Sequence, residues 1–189
     1  MKKGAAVRFL ISDALSLIGN SVAAVVLPLL ILARTGDPLA AGTLSLACAI
    51  PQALMGVLGG VVLDKINRRL VSVVSDCISA LSVALLLVVD LTLGLNLGWF
   101  IALGILGAIG DIPGVTARET LSPSVAKHSG VDLQRFIGIE QSLQSLSVVI
   151  GPAVAALLIG FTGGTWALAV TAALSLGAAL VTLTLPRTI

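Results

Sequence analysis

The chain has 189 residues, of which 57% are hydrophobic, 11% charged and 3% aromatic, with a formal net charge of +2. A soluble domain has about a quarter of its residues charged, so this composition, with a mean hydropathy of +1.12, excludes an ordinary water-soluble enzyme or a nucleic-acid-binding protein and describes a bilayer protein. A transmembrane barrel is excluded as well, because its strands give short alternating segments, whereas the apolar runs here reach the roughly 20 residues that a helix needs to cross hydrocarbon.

The first predicted span covers Arg8 to Ala33. Lys2 and Lys3, the apolar run and Ser21-Val22-Ala23-Ala24 imitate a cleavable secretory leader. Asp13, Ser16 and Asn20 interrupt the would-be leader core, and the apolar character continues to Ala33, so the stretch reads as a retained membrane helix. Those three polar residues stand at i, i+3 and i+7 and share one helical face, suited to lining an aqueous cavity. Hydrogen bonding between helices accounts for Ser16 and Asn20, and less easily for the carboxylate. Asp13 also lies near the inner end, within reach of interfacial water.

After Thr35-Gly36-Asp37-Pro38 the second span runs from Leu39 to Leu63. The two cysteines, Cys48 and Cys77, lie inside apolar runs, where a thiol behaves as a small hydrophobe, and they imply neither a disulfide nor a metal site. Between the second and third spans lies the most polar stretch of the chain, Gly60-Val61-Val62-Leu63-Asp64-Lys65-Ile66-Asn67-Arg68-Arg69. A connection this short is a tight hairpin at the membrane surface with its cations in water. Gly59 and Gly60 permit close approach of two helices, and Asn67, which tolerates a left-handed backbone, is expected to turn the chain.

The third span, Leu70 to Leu93, carries Asp76, Ser79 and Asp90 on one face, where packing or capping roles are expected. Beyond Gly94-Leu95-Asn96 the fourth span runs from Leu97 to Leu121. It holds Asp111 near mid-membrane, close to Pro113 and flanked by Gly107, Gly110 and Gly114. Ionisable groups at that depth are functional candidates by default. Three roles for Asp111 stand open: binding and releasing a proton, binding a cationic substrate, or pairing with a cation of another helix.

A connector from Ser122 to Leu133, with a solvated His128, leads to the fifth span, Gln134 to Gly160. Its inner half carries Glu140, Gln141 and Gln144, a polar strip that passes through Ser147 into Gly151-Pro152. Small residues let another helix pack tightly there, and Pro152 removes one backbone hydrogen bond. The sixth span, Thr165 to Leu185, follows Thr162-Gly163-Gly164 and is closed by Pro186. With the amino terminus inside, ten of the eleven Lys and Arg residues lie on the cytoplasmic side and only Arg34 lies outside, as the positive-inside rule requires. Both termini are then cytoplasmic.

The hairpin resembles the signature loop of the major facilitator superfamily of secondary transporters, Gly-x-x-x-Asp-(Arg/Lys)-x-Gly-(Arg/Lys)-(Arg/Lys). Gly60, Asp64, Lys65, Arg68 and Arg69 match, and Asn67 replaces the usual Gly. The fifth span is similar to the pattern Gly-x8-Gly-x3-Gly-Pro-x2-Gly-Gly of the family's exporters and proton antiporters. Gly138, Gly151 and Pro152 match, while Ser147, Ala155 and Ala156 stand where Gly is usual. The buried Arg that many proton-coupled members carry in the fourth span is missing between Leu97 and Gly114; Arg118 stands at the inner end, where the family commonly places a cation paired with the loop aspartate.

The resemblance implies an all-α membrane protein, a six-transmembrane-helix bundle corresponding to the amino-terminal half of a major-facilitator-type fold, with residues 1–189 as one bundle. A second six-helix half, from the same chain type or a separate protein, is implied as a partner because alternating access rocks two bundles around a shared site. It further implies export of a small, amphipathic compound with a proton as coupling ion, a plasma (inner) membrane location, and Asp64 with Arg118 as a conformational latch. Candidates for the substrate or proton site are Asp13, Asn20, Asp111, Glu140, Gln141 and Gln144. No cofactor or metal is called for, and lipid is the surrounding medium. An intramembrane serine protease would need a His within a span, but the sole His128 is in a connector, and no HExxH motif occurs. A non-transporting six-helix subunit, or a fragment that needs its partner half, is the alternative.

Overall fold

A computed structural model describes residues 3–63, 66–162 and 164–186, with side chains except at residues 3, 58–63 and 162. Among the described residues six helices follow one another: α1 Lys3–Thr35, α2 Pro38–Leu63, α3 Arg68–Thr92, α4 Leu97–Ser129, α5 Leu133–Thr162 and α6 Thr165–Leu183. All six are long and apolar enough to cross a membrane.

Short polar side chains start the helices by satisfying amide groups that have no partner within the first turn. The Leu39 amide donates to Asp37 Oδ1 at 2.9 Å at the start of α2. Asn96 Oδ1 accepts from the Trp99 amide at 3.1 Å for α4, and Asp132 Oδ1 from the Arg135 amide at 2.9 Å for α5. Asn67 departs from expectation. Its backbone is extended, with φ −63° and ψ 112°, and its side chain accepts from the amides of Arg69 and Leu70. It caps α3 instead of making a left-handed turn, because an Asx side chain gains more by capping orphan amides than by bending the chain.

The fourth helix is also longer than expected. The segment from Ser122, expected as a connector, continues α4 through Pro123 to Ser129, and left-handed Gly130 (φ 64°) ends it. The extension is held by packing: Leu121, Val125 and Ala126 join Ala6, Phe9, Phe136 and Leu185 in an apolar cluster. The Phe9 and Phe136 rings lie 5.8 Å apart in a tilted arrangement.

Helix α1 packs against α2, α4, α5 and α6, and α3 lies along α4 and α6. A second, larger apolar cluster at the other end gathers Val22, Val26, Leu30, Ile31, Leu86, Phe100 and Leu168 with their neighbours. The intervening level of α1, α3 and α4 carries the polar residues Ser12, Asp13, Ser16, Asp76, Ser79, Asp111 and Arg118. Two greasy layers therefore bracket a polar one.

Both ends of the bundle are tied by arginines. Arg8 and Arg69 donate to the carbonyls of Thr184 and Thr182, at 3.1 and 3.2 Å, satisfying the end of α6, and Arg68 donates to the Thr120 carbonyl at 3.3 Å. At the opposite end Arg34 pairs with Asp90 at 2.8 Å. Thr165 donates to the same carboxylate at 2.7 Å, so α1, α3 and α6 are joined there.

Close packing in the polar layer rests on small residues. A Cβ added at Gly114 of α4 would overlap Ser75 of α3, whose hydroxyl donates to the Gly110 carbonyl at 2.6 Å. Replacing Gly114 by Val should destabilise the bundle by about 1–3 kcal/mol, as overpacking does. Gly42→Ala, with nothing within 4 Å of the added carbon, should leave it unchanged. Unfolding in detergent checks both, and equal effects would contradict this packing.

Candidate functional site

Two adjoining cavities open at the polar level. The smaller, about 260 Å³, is lined by Asp13, Ser16 and Asn20 of α1, Arg118, Glu119 and Ser122 of α4, and Glu140, Gln141 and Gln144 of α5. The larger, about 480 Å³, is bounded by Asn20, Ser21, Cys48, Gln52, Ser79, Asp111, Gln144, Ser147 and Ser175 among apolar neighbours. Leu17, Asn20, Val115 and Gln144 belong to both walls. The spacing of Asp13, Ser16 and Asn20 explains their shared orientation, since i, i+3 and i+7 fall on one side of a helix.

Arg118 is the hub of the smaller cavity. It is 5% exposed, and its Nη2 bonds Asp76 Oδ2 of α3. Its Nη1 donates to Ser16 Oγ at 2.9 Å, and Nη2 also approaches Ser12 Oγ at 3.4 Å. Ser16 Oγ in turn donates to Asp76 Oδ1 at 2.9 Å, closing a ring across α1, α3 and α4. Asp13 stands 3.8 Å from Arg118 Nε. The fork of guanidinium donors suits this multiple engagement, which an ammonium group could not reproduce.

Carboxylates in the cavity walls are held by hydroxyls. Ser122 bonds Glu140 Oε2, and Ser79 Oγ donates to Asp111 Oδ1 at 2.6 Å. Asp111 is the one charged side chain among the described residues lining the larger cavity. The larger cavity thus offers one acidic group, several neutral polar groups and an apolar wall. Among the described residues no His, Cys, Asp and Glu cluster could hold a metal ion.

The expected site residues divide into three sets. Asp13, Asn20, Arg118, Glu140, Gln141 and Gln144 meet around the smaller cavity, with Asp111 beside them in the larger. Asn67, Arg68 and Arg69 stay at the hairpin end, where Asn67 caps α3, Arg69 donates to the end of α6 and Arg68 donates to the Thr120 carbonyl of α4. Of the packing motif, Gly151 lies against Ser21 of α1, Ser147 lines the larger cavity, Pro152 is exposed, and a Cβ added at Gly138 would meet no neighbouring helix within 4 Å. Asp64 and Lys65, and any packing at Gly59 and Gly60, fall outside the described residues.

Asp76, Ser12, Ser122 and Gln52 were not anticipated as site residues. A signal existed for Asp76. Ser72, Ser75, Asp76, Ser79 and Ser82 recur at helical spacing and are all buried, and a polar stripe inside a span faces protein rather than lipid.

Fold and site together define a multi-pass membrane protein with polar cavities in its interior. The chain belongs to the Major Facilitator Superfamily, whose family model matches residues 9–188. It is 34% identical over 149 residues to the multidrug efflux pump Tap of Mycolicibacterium fortuitum, covering 77% of this chain and 36% of that protein. It is 28% identical over 146 residues to macrolide efflux protein A of Streptococcus pyogenes, again over 77% of this chain and 36% of the relative. The nucleoside transporter NupG shares the fold, with a TM-score of 0.78 at 19% identity over 97% of this chain and 44% of that one. The chain therefore spans less than half the length of each of these proteins.

The two kinds of polar contact differ in weight. Arg118→Gln strips Asp76 of its counter-ion and should cost about 3–5 kcal/mol, whereas Ser79→Ala should cost roughly 0.6 kcal/mol, typical of a hydrogen bond between membrane helices. Denaturant unfolding in micelles reads both, and a loss at Arg118 no larger than at Ser79 would contradict the assigned pairing.

Proposed function

We propose that this chain forms one six-helix half, the amino-terminal one, of a secondary transporter that exports a small amphipathic compound by alternating access, with protons as the coupling ion. The observation that carries this reading is the larger of the two contiguous cavities, where a single carboxylate, Asp111, stands among amides, hydroxyls and apolar side chains. That lining suits a greasy molecule with a polar group. It does not suit a phosphate or sugar acid, which would call for free Arg or Lys donors, and Arg118 is already engaged by Asp76. The two relatives named for efflux support the direction of transport.

Residues 1–189 act in this reading as a single bundle in the plasma (inner) membrane with both termini cytoplasmic, because the cations gather at the hairpin end. A second six-helix half completes the cleft. The lengths of the relatives favour it, as does the high exposure of apolar side chains on α2 and α5, among them Leu54, Val57, Leu146 and Val149. Asp64 of the hairpin and Arg118 form the latch of the closed cytoplasmic side. Since Arg118 already contacts Asp76, Ser16 and Asp13, latching is an exchange of carboxylates on one guanidinium.

The test uses inverted membrane vesicles that contain the chain with its companion half, an imposed proton gradient, and ethidium and a macrolide as probes. Asp111→Asn should reduce gradient-driven accumulation to the level without a gradient while probe binding persists. Accumulation equal to the parent protein's would contradict a coupling role for Asp111, and no accumulation by the parent would contradict export of these compounds.

A further inference from the structure

We propose that Asp76 is a positioning residue for Arg118: it holds the guanidinium in the wall of the smaller cavity as an already neutralised cation, and so leaves Asp13 in that wall without a hydrogen-bonded counter-charge. The assignment follows from geometry. Arg118 hydrogen-bonds Asp76 directly, and Ser16 locks the pair from α1 by accepting from Arg118 and donating to Asp76, each at 2.9 Å. Asp13 approaches only to 3.8 Å, at Nε, beyond hydrogen-bond reach.

Orientation points the same way. Asp13 and Arg118 line the cavity, and Asp76 does not. The Asp76 side chain is 4% exposed and that of Asp13 12%. One guanidinium thus faces two carboxylates from different helices, with its better bonds on the carboxylate away from the cavity. Of the other acidic groups in this wall, Glu140 accepts from Ser122 and Glu119 is exposed. Neither Asp13 nor Glu140 has a hydrogen-bonded counter-charge, so the cavity is biased towards cationic groups, and Asp13 is the part of that bias that Asp76 controls through Arg118. In function this rests on the transport reading, whereas its test reads no transport and stands apart from that reading.

The reporter is Asn20→Cys, in the wall of both cavities, in the full chain in native membranes with Cys48 and Cys77 changed to Ser. The rates of modification by a cationic and an anionic methanethiosulfonate are compared. With Asp13 and Asp76 present the cationic reagent should react faster by about fivefold, the effect of one charge a few ångströms away in water. Asp13→Asn should lower the preference. Asp76→Asn should lower it by the same factor, because Arg118 then turns to Asp13. Asp76→Asn with Arg118→Gln should restore it, and Asp76→Glu should preserve it. A preference unchanged by Asp76→Asn, or one not restored by the double replacement, would overturn the proposal. A purely structural Asp76 gives that second result, since the double variant would then be no better than the single one.

Discussion

Hydrocarbon offers no hydrogen bonds, so every polar group placed at membrane depth must find its partner inside the bundle. The polar level of this protein is organised by that constraint. Arg118 is the most demanding group in it, and its donors reach Asp76, Ser16 and Ser12 on two other helices. Satisfying one guanidinium therefore fixes the relative height and rotation of α1, α3 and α4. The apolar clusters above and below then pack around a register that the polar layer has set.

The same constraint explains where space remains. Serine and glycine along the α3 and α4 contact bring those helices together, with Ser75 bonding Gly110 and Ser79 bonding Asp111. Space opens instead on the side of α1 and α4 that faces α5 and α2, where Asn20, Glu140, Gln144 and Gln52 are exposed to the cavities. Tight packing on one side and a polar cleft on the other follow from one choice of residue size. Hydroxyls hold Glu140 and Asp111 in place without supplying a counter-charge, whereas Arg118 receives a full one. Electrostatic demand in the cleft is thus distributed unevenly, a property on which recognition of charged guests depends.

Much of this was legible in the sequence. Six apolar runs gave six helices, the hairpin and the Gly-Pro pattern pointed to the superfamily, and the i, i+3, i+7 spacing of Asp13, Ser16 and Asn20 placed them in a common wall. The misses have local causes. Asn67 is compatible with both a left-handed turn and a helix cap, and only the adjoining amides decide between them. Pro123 and the polar residues after Leu121 resemble a connector. The helix persists because Val125 and Ala126 bury in one cluster with Phe136 and with Phe9, the latter over a hundred positions away. Arg118 was placed in the inner part of α4, but its partner on α3 depends on the rotation of two helices, which no linear pattern specifies.

Arg118 is satisfied inside the bundle by Asp76. A solid-state nuclear magnetic resonance measurement in lipid bilayers, between guanidinium 15N of Arg118 and carboxyl 13C of Asp76, tests it most directly. An ion pair with N to O within about 4 Å predicts strong dipolar coupling between these nuclei. Absence of that coupling, with the guanidinium instead coupled to lipid phosphate 31P, would contradict the account.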